Sequence, residues 1–448
     1  MIDAELILAL NRAGLDGAVL GSRDGDYERA RRVWNAMADR RPAAIVRARS
    51  VDDVTATIRV AHEAGSLLAV RCGGHSFPGF STCDDGIVLD LSSMSGITVD
   101  PLSGTAEVGG GALLGDLDRA CAPHGLVTPA GVVSHTGAAG LTLGGGMGWL
   151  SRRFGLTIDS LLAADVCTAD GRVVRASAEK EPELFWGLRG GGGNFGVVTR
   201  FAFRLHELGP VLVGSWQYPT VQARAVLGRY AELCAGAPRH LATAFTSIAA
   251  GTRVTAFWSG SVDGAEAAVA PYGTLGTPFA GSRGGVTFLD LQSRSDDHFA
   301  WGRRCYAKGG FLGVLETDTI DRIVSSLEAA PTPDCEIYVL QLGGAVADVP
   351  DADTAYTGRD ANFYWIVEPV WDDPADDARC MAWGREAAAH LAARSTSGNY
   401  VNEQSEVGPD LAFSAYGEQK YARLAALKAR FDPDNLFRLN QNIAPDRR

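Results

Sequence analysis

A strand-helix-strand pattern that ends in a glycine pair and a histidine constrains this chain more than any other feature. Residues 43–48 and 67–71 have the apolar content of strands, and residues 51–65 between them have helical periodicity. The glycine pair follows the second strand directly, and glycine lets backbone amides approach a ligand closely. The pattern predicts a βαβ unit that presents His75 at the carboxyl end of a strand, where α/β folds tend to bind ligands. A turn histidine without a role is the alternative for these residues taken alone.

Two other glycine-rich segments match a dinucleotide-binding fingerprint only in part. The spacing in residues 109–115 is wrong by one position, although a strand precedes it and a helical pattern follows. Residues 191–196 have the spacing G-x-G-x-x-G, but a helical pattern precedes them and a strand pattern follows. The fingerprint requires a strand first and a helix second, because the pyrophosphate lies on the amino terminus of that helix. These segments therefore argue against a Rossmann-type site.

The densest glycine run lies between residues 129 and 148. No ordinary helix or strand is expected to contain so many glycines, so the run predicts a loop. Successive backbone amides without side chains form concavities that bind anions, and such a loop suits a diphosphate. The Leu and Val residues spaced through the run predict that the loop is buried and ordered.

Composition bounds the size and class of the protein. With 448 residues, 46% hydrophobic and 21% charged, the chain is long enough for two or three domains with a large core. A formal net charge of -12 without a local cluster of Lys and Arg argues against nucleic-acid binding. An acidic amino terminus and no apolar run of roughly 18 residues predict a cytoplasmic protein without a membrane span. Eight scattered cysteines with no CxxC pair indicate neither a disulfide framework nor a zinc site, and no metal is predicted.

The pattern changes near residue 208, where the glycine density falls and strands alternate with amphipathic helices without a regular βαβ rhythm. Such a pattern predicts an α+β domain with an antiparallel sheet and helices on one of its faces. The predicted strands are 211–218, 252–262, 336–342 and 362–371, and the predicted helices are 221–234, 265–272, 319–329 and 374–393. A further helix is predicted over 420–430.

That sheet supplies the candidate substrate contacts. Strand parity places Tyr364 and Glu368 on one face and Phe363 and Trp365 on the other, without indicating which face borders a pocket. Each aromatic residue taken alone is more often a core residue than a substrate contact. Glu368 is harder to assign to a core, because burial of an unpaired carboxylate is costly. The aromatic and amide candidates are Trp216, Trp258, Tyr338, Gln341 and Tyr364.

Four motifs in the same order resemble those of the FAD-linked oxidases of the vanillyl-alcohol oxidase superfamily. They lie at residues 71–76, 137–148, 189–198 and 431–443, and they are most similar to the berberine-bridge-enzyme-like branch, which includes bacterial hydroxynicotine and aclacinomycin oxidases. The resemblance implies an FAD-binding domain of the PCMH/VAO type in two parts, 1–208 and 396–448. A substrate-binding domain over 209–395 would lie between them, with the free face of its sheet over the flavin.

The resemblance also implies that His75 forms a covalent bond to FAD. A neutral imidazole nitrogen is a competent nucleophile near pH 7. Many relatives add a second bond from a cysteine at the position of Val133, so a single bond is expected here. Doubly bonded relatives tend to have open clefts that admit oligosaccharides, and the departure weakens a sugar-oxidase assignment. Thr136 stands where the family controls the access of oxygen, and its small side chain is compatible with that access.

Further cofactor contacts are implied for the histidine turn, the glycine run, the 189–198 motif and the carboxyl-terminal amides. Amide side chains can both donate to and accept from the pyrimidine edge of a flavin. The implied contacts are Arg71, Cys72, Gly73, Gly74, Ser76, Pro129, Gly131, Val132, Val133, Thr136, Gly137, Gly140, Gly144, Gly145, Gly148, Asn194, Gly196, Val197, Val198, Asn440 and Asn442.

The segment 399–403 resembles the family's Tyr-x-Asn motif, in which the tyrosine is a catalytic base in several relatives. Tyr400 is therefore the first candidate for the base, Glu368 the second, and Asn402 a candidate substrate contact. A phenol with its ordinary pKa of about 10 is a poor base at pH 7, so a nearby cation or the oxidised flavin would have to lower the pKa of Tyr400. A neutral amine substrate needs no strong base, and in that case Tyr400 would only orient it.

These features together predict an FAD-dependent oxidase that oxidises an alcohol or amine carbon of a small molecule and passes the electrons to O2. Relatives of this kind often modify secondary metabolites. The alternatives are a carbohydrate oxidase, a flavin dehydrogenase with another electron acceptor, and a flavin-bearing protein that sequesters a drug-like compound without turnover. The sequence leaves the substrate, the base and the oligomeric state open.

Overall fold

A computed structural model describes residues 2–396 and 398–446 of the chain. The first sheet contains the strands around the histidine turn. Strands Ala44–Arg47 and Leu68–Arg71 both pair in parallel with Ile87–Asp90, which lies between them, and Ala18–Leu20 adds an antiparallel edge. The predicted βαβ unit is therefore present within one sheet, although its two strands are not neighbours. Ile87–Asp90 occupies the centre because it is buried on both faces.

The helix between those strands, Val51–Glu63, begins with a capping box. The hydroxyl of Ser50 accepts from the backbone of Asp53, and the carboxylate of Asp53 accepts from the backbone of Ser50. A five-stranded antiparallel sheet follows in the chain. Together with the first sheet, it forms the part of the structure that we call the first domain. Its strands, in spatial order, are Ile97–Asp100, Thr105–Gly109, Val197–Arg204, Leu161–Cys167 and Val173–Ser177.

The glycine run is not a continuous loop, which corrects the prediction. Residues Ala138–Leu143 form a short helix, because this part of the run is Ala-Ala-Gly-Leu-Thr-Leu and only one of its six residues is glycine. The helix ends where consecutive glycines begin. Gly145 and Gly146 have φ values of 131° and 76°, and residues with a Cβ rarely adopt such values. The run therefore combines one helical turn with an irregular glycine segment.

The second domain is built on an eight-stranded antiparallel sheet. The strands in spatial order are Ala280–Val286, Val211–Tyr218, Gly251–Trp258, Leu241–Ile248, Cys335–Gln341, Phe363–Trp371 and Arg304–Cys305, and Lys308–Leu312 also pairs with Phe363–Trp371. Helices Ala223–Ala235, Val262–Val269, Thr317–Glu328 and Asp377–Ala392 cover one face. The predicted α+β class is confirmed.

One predicted strand of this sheet was wrong at its end. The predicted strand 252–262 ends at Trp258, and Val262 begins a helix after the small residues 259–261. Four strands of the sheet were not predicted: Leu241–Ile248, Ala280–Val286, Arg304–Cys305 and Lys308–Leu312. Ala280–Val286 has the sequence AGSRGGV, which lacks an apolar alternation, and only its pairing with the strand Val211–Tyr218 makes it extended.

The sheet has one apolar face and one mixed face. Phe363 and Trp365 belong to the core cluster that the helices cover. Tyr364 and Glu368, which have the opposite parity in the same strand, line a cavity between the sheet and the first domain. The packing of the helices therefore decides which face borders the cavity, a choice that strand parity left open.

The carboxyl-terminal part returns to the first domain. Helix Pro409–Phe431 is interrupted at Gly417, where φ is 69°, and it starts well before the predicted residue 420. The ammonium group of Lys428 is fully buried, forms an ion pair with Asp432 at 2.6 Å, and donates to the carbonyl oxygens of Asn194 and Phe437 at 2.8 Å. These bonds hold residues 432–443 against the 191–198 segment.

Shorter elements connect these parts. The helices are Ile2–Arg12, Tyr27–Ala30, Leu114–Cys121, Ser151–Phe154, Pro182–Leu188, Phe288–Gln292 and Ala345–Asp348, and Leu126–Val127 pairs with His206–Glu207. Turns of 3-10 helix lie at Ala122–His124, Thr157–Asp159, Thr220–Gln222, Ala270–Gly273, Asp351–Asp353, Pro374–Asp376 and Val401–Glu403. Within residues 2–396 and 398–446, no helix has both the length and the apolar character that a membrane crossing requires. All eight cysteines carry free thiols.

Asp118 contacts the helix Phe288–Gln292, and its raised pKa predicts that the stability of the protein depends on pH. Its buried carboxylate accepts from the amide of Gln292 at 3.3 Å, and the same amide donates to the carbonyl of Gly131 at 2.9 Å. Burial raises the pKa of Asp118 from 3.8 to about 7. A raised pKa means that its contribution to stability is complete below pH 3.8 and is lost as the pH rises to about 7.

We expect Asp118→Asn to remove this loss of unfolding free energy, which is on the order of 4 kcal/mol. The free energy of unfolding of the variant should exceed that of the wild type at pH 8, and the two should converge near pH 4. Denaturant unfolding at both pH values measures the difference. Asp290→Asn is the control, because Asp290 is an exposed carboxylate on the helix Phe288–Gln292, which also carries Gln292. Equal pH dependence of the wild type and Asp118→Asn would contradict the prediction.

Candidate active site

A large cavity of about 800 Å³ lies between the eight-stranded sheet and the part of the chain that carries the histidine turn. One side is formed by the histidine turn, the glycine run, the 191–198 segment and residues 437–441. The other side is the mixed face of the eight-stranded sheet, together with residues 400–403. The cavity thus joins the segments that carry the sequence motifs to the strands that carry the candidate substrate contacts.

Glycine is required where the histidine turn meets the glycine run. A Cβ on Gly73 would lie 2.2 Å from the backbone nitrogen of Gly137, and Gly74 has a φ of 71°. The strand Leu68–Arg71 ends immediately before this turn, and the backbone of the turn passes close to Gly137 of the glycine run. His75 therefore lies on the cavity wall. The local geometry follows from the missing side chains, as the sequence suggested.

His75 is enclosed by aromatic rings. The indole of Trp34 stacks on its imidazole with centroids 4.8 Å apart and an interplanar angle of 16°. Nε2 of His75 lies 2.6 Å from Nδ1 of His135. Burial, and then the neighbouring His135, lower the pKa of His75 to about 3, so the ring is neutral at pH 7. Trp34 and His135 were not identified from the sequence, because residues 1–40 carry no recognised motif and His135 was taken as one residue of a loop.

The carboxyl-terminal segment 432–443 has three amide oxygens without a hydrogen-bond partner near the cavity wall. Oδ1 of Asn440, Oε1 of Gln441 and Oδ1 of Asn442 are buried without a hydrogen-bond partner among the described residues. Asn440 and Gln441 also line the cavity. Asn194 anchors this segment, because its amide donates to the carbonyl of Gln441 at 3.2 Å and accepts from the backbone of Ile443 at 3.0 Å.

The wall of the cavity fits an FAD molecule. Buried amide oxygens without partners suit the polar pyrimidine edge of a flavin, and backbone amides of glycine segments suit a diphosphate. His75 lies on the same wall. The predicted contacts that line the cavity are Cys72, Gly73, Gly74, His75, Ser76, Gly131, Val132, Val133, Thr136, Gly137, Gly140, Gly148, Asn194, Gly196, Val197, Val198 and Asn440.

Several predicted cofactor contacts lie off this wall. The guanidinium of Arg71 is paired with the buried carboxylate of Asp90 at 2.6 Å. A Cβ on Gly144 would lie 2.1 Å from the side-chain oxygen of Asn402, and one on Gly145 would lie 2.7 Å from a ring carbon of Tyr356. These two glycines make room for side chains of the protein itself. The residues outside the wall are Arg71, Pro129, Gly144, Gly145 and Asn442.

Three predicted substrate contacts belong to the core instead. The indole of Trp258 donates to the carbonyl of Ser261 at 2.8 Å, and Trp216 and Trp258 pack in the cluster beneath the helices. The amide of Gln341 accepts from Thr243 and donates to the carbonyl of Cys234, both at 2.9 Å. Gln341 shares the parity of Ile337 and Val339, which face the helices. Tyr338, Tyr364, Glu368 and Asn402 do line the cavity.

Three carboxylates line the sheet side of the cavity, and of these Glu336 and Glu368 are buried and Glu403 is half-buried. Glu336 and Glu368 face each other across neighbouring strands, and Glu403 accepts a hydrogen bond from the hydroxyl of Tyr364. Glu368 accepts from the thiol of Cys305 at 3.4 Å, and Glu336 lies 3.4 Å from the imidazole of His298. Burial raises the pKa of Glu403 to about 7. Burial, and then Glu336 and Glu403, raise the pKa of Glu368.

Glu336 and Glu403 were missed in the sequence, although a signal for each was present. Glu336 has the parity of Tyr338 in a predicted strand, so the argument made for Glu368 applies equally to it. Glu403 is the last residue of the segment that contains Tyr400. Neither signal indicates that the two carboxylates lie in the same cavity.

Tyr400 lies at the junction of the two sides. Its hydroxyl oxygen accepts from the backbone of Gly146 at 3.1 Å and from the amide of Asn402 at 2.9 Å. Burial, and then the carboxylate of Glu403, raise the pKa of Tyr400 above its ordinary value. The carboxylate of Glu403 thus opposes ionisation of Tyr400, whereas the sequence-based argument called for a nearby cation or the oxidised flavin to favour it. Its ring packs edge-on against Tyr364, with centroids 5.6 Å apart.

Comparison with known proteins gives matches along nearly the whole chain. Residues 42–177 match the family described as FAD binding domain, and residues 399–444 match the family described as berberine and berberine like. An FAD-linked oxidoreductase of Dictyostelium discoideum is 31% identical over 437 residues, covering 96% of this chain and 95% of that protein. The (R)-6-hydroxynicotine oxidase of Paenarthrobacter nicotinovorans is 30% identical over 453 residues, covering 96% and 97%. The crystal structure of 6-hydroxy-D-nicotine oxidase from Arthrobacter nicotinovorans superposes with a TM-score of 0.89 at 29% identity, covering 97% and 99%.

Proposed function

Because this chain belongs to the FAD-linked oxidoreductases, in the berberine-bridge-enzyme-like branch of the vanillyl-alcohol oxidase superfamily, we propose that it is an oxidase of a small-molecule alcohol or amine. The protein removes a hydride from the carbon that bears the oxygen or nitrogen, and O2 receives the electrons and becomes H2O2. The proposal rests on the observation that one cavity joins a wall that fits FAD to a wall of acidic and phenolic side chains.

The protein would hold FAD with the glycine segments and the carboxyl-terminal amides, and His75 would carry the covalent bond. When bound, FAD supplies a ring that accepts a hydride and gives its electrons to oxygen. Val133 lines the cavity where a second bond would need a cysteine, which supports a single bond. Thr136 lines the same wall, and its small side chain supports access for O2.

The side chains of the protein would bind the substrate and take up its proton. Oxidation of an alcohol requires a base within hydrogen-bond reach of the hydroxyl. Tyr400 is our first candidate, because two N–H groups donate to its oxygen and would stabilise the phenolate. Glu368 is the second candidate. Burial opposes ionisation of both groups, so the bound substrate must supply part of the stabilisation.

Of the two substrate types, the carboxylates favour the amine. Burial raises the pKa of Glu336, Glu368 and Glu403, and repulsion from Glu336 and Glu403 raises the pKa of Glu368 further. A cationic nitrogen placed among them would relieve the repulsion at Glu368 and would form a charge-assisted hydrogen bond with a carboxylate. The substrate we propose is therefore an amine whose protonated form is bound by the carboxylates and whose neutral form is oxidised.

The proposal is tested by mixing the purified yellow protein anaerobically with a panel of cyclic amines, benzylic alcohols and oligosaccharides. We expect an amine to bleach the flavin absorbance, and we expect admission of O2 to restore it with one H2O2 formed for each flavin. Bleaching by sugars alone would favour a carbohydrate oxidase. Slow reoxidation by O2 would favour a dehydrogenase. A compound that binds without bleaching the flavin would favour a sequestering protein.

Glu368→Gln should weaken recognition of a cationic amine. Loss of a charge-assisted hydrogen bond costs about 1.5–3 kcal/mol, so kcat/KM for the amine should fall about 10–100-fold. Steady-state peroxide formation measures the change. Glu406→Gln is the matched control, because Glu406 pairs with Lys308 and Arg385 and its side chain is not part of the cavity wall. An unchanged kcat/KM in Glu368→Gln would remove this carboxylate from substrate binding.

A further inference from the structure

Two histidines from different loops share a hydrogen bond beside the cavity. Nε2 of His75 and Nδ1 of His135 are 2.6 Å apart, and their ring centroids are 4.6 Å apart. His75 lines the cavity, whereas His135 is not part of its wall. His135 is therefore a hydrogen-bond partner of a cavity-lining imidazole without being a lining residue itself.

Both partners are held in place by other contacts. The backbone and the hydroxyl of Ser134 donate to the carboxylate of Asp296, which anchors the loop that carries His135. Trp34 stacks on His75, its indole donates to the carbonyl of Phe299 at 2.7 Å, and its backbone donates to the carbonyl of Gly74 at 3.1 Å. The imidazole of His75 is thus restricted in both position and rotation.

The hydrogen bond determines which nitrogen of His75 is free. A neutral imidazole has one N–H group and one nitrogen with a lone pair. If Nε2 of His75 carries the hydrogen and donates it to His135, the lone pair lies on Nδ1, and no described hydrogen bond occupies Nδ1. The opposite arrangement would place the hydrogen on Nδ1 and would engage the only lone pair in the bond to His135.

We propose that His135 is a positioning residue for the covalent attachment of FAD, acting through His75. It accepts the Nε2 hydrogen, which leaves Nδ1 as the nucleophile, and it takes up the Nε2 proton when the new bond forms. This inference rests on the proposed function, in which His75 is the attachment site. The low pKa of His75 is consistent with it, because the ring enters the reaction without a positive charge.

Nδ1 of His75 forms a bond to the carbon of the 8-methyl group of the flavin, and one C–H bond of that methyl group breaks. The proton from the methyl group and the proton from Nε2 are released, the latter to Nδ1 of His135. The two electrons of the C–H bond reduce the flavin. O2 reoxidises it and, with the two protons, becomes H2O2.

The test is the rate at which the full-length protein attaches FAD. Wild type, His135→Ala, His135→Gln and His206→Ala are produced in a riboflavin-starved host and then incubated with FAD in air. Acid-stable flavin is followed by fluorescence of the denatured protein band and by intact mass, and acid-released flavin measures bound but unattached FAD. His206→Ala is the matched control, because His206 is another half-buried histidine that stacks on Phe154 outside the cavity wall.

We expect His206→Ala to attach FAD at the wild-type rate and His135→Ala to bind FAD but attach it about 10²-fold more slowly. His135→Gln should lie between them, because its amide oxygen accepts the Nε2 hydrogen but does not take up a proton. Attachment at the wild-type rate in His135→Ala would overturn the inference. If His135→Ala binds no FAD, attachment at the wild-type rate in His135→Gln would overturn the inference, and slower attachment would support it. Only acid-released flavin in the wild type would instead refute His75 as the attachment site.

Discussion

His75→Ala is expected to abolish covalently bound flavin. The wild-type peptide that contains His75 should gain the mass of one FAD, or of its FMN part after cleavage, and the variant peptide should have its unmodified mass. The physical reason is that His75 places a neutral imidazole on the cavity wall, held between Trp34 and His135. The glycine segments and carboxyl-terminal amides remain in the variant, so we expect it to bind FAD that acid releases.

Acid denaturation followed by mass spectrometry of the tryptic fragments measures this result. His206→Ala again serves as the control and should retain the full covalent content. The variant should also have a lower flavin reduction potential, because the electron-withdrawing imidazole substituent is lost. Acid-stable flavin in His75→Ala would place the bond on another residue, and cavity-lining Cys72 would be examined first.

Tyr400→Phe is expected to lower the rate of flavin reduction by an alcohol about 10²–10³-fold, within the range that a positioned base contributes. The substitution removes the hydroxyl that accepts from Gly146 and Asn402 but keeps the ring that packs against Tyr356 and Tyr364. FAD content and stability should therefore change little. With an amine substrate the loss should be smaller, because the neutral amine releases a hydride without a strong base.

Anaerobic stopped-flow absorbance measures the reduction rate directly. Because the pKa of Tyr400 is raised, the wild-type rate with an alcohol should increase with pH up to at least 10, and Tyr400→Phe should lack this increase. Tyr356→Phe is the matched control, since the hydroxyl of Tyr356 is buried without a described partner and is not part of the cavity wall. Equal rates in wild type and Tyr400→Phe would transfer the role of base to Glu368 or Glu403.

The cavity also depends on contacts that cross the domain boundary. Asn35 donates to the carbonyls of Phe77 and Cys305 at 2.8 Å, which joins the amino-terminal segment to both the histidine turn and the second domain. Arg359 pairs with the buried carboxylate of Asp159 at 2.7 Å. These bonds connect the parts of the chain that form the two sides of the cavity.

The family, the histidine turn and half of the strands of the large sheet were predictable from the sequence. The histidine turn and the glycine run require glycine for steric reasons, and strand Val211–Tyr218 has the bounds that its alternation predicts. Strand parity separated Tyr364 and Glu368 from Phe363 and Trp365. Such features can be read from the chain because they depend on residues a few positions apart, through backbone sterics and side-chain periodicity.

The packing of distant segments shows which face of the sheet borders the cavity and which side chains meet there. His75 and His135 are 60 positions apart, and Trp34 is 265 positions from Phe299, whose carbonyl holds its indole. Gln341 and Trp258 pack beneath helices, whereas Glu336 and Glu403 join Glu368 in the cavity. Neither periodicity nor motif spacing records these partners, because each contact arises only when distant segments pack against one another and exclude water from between them.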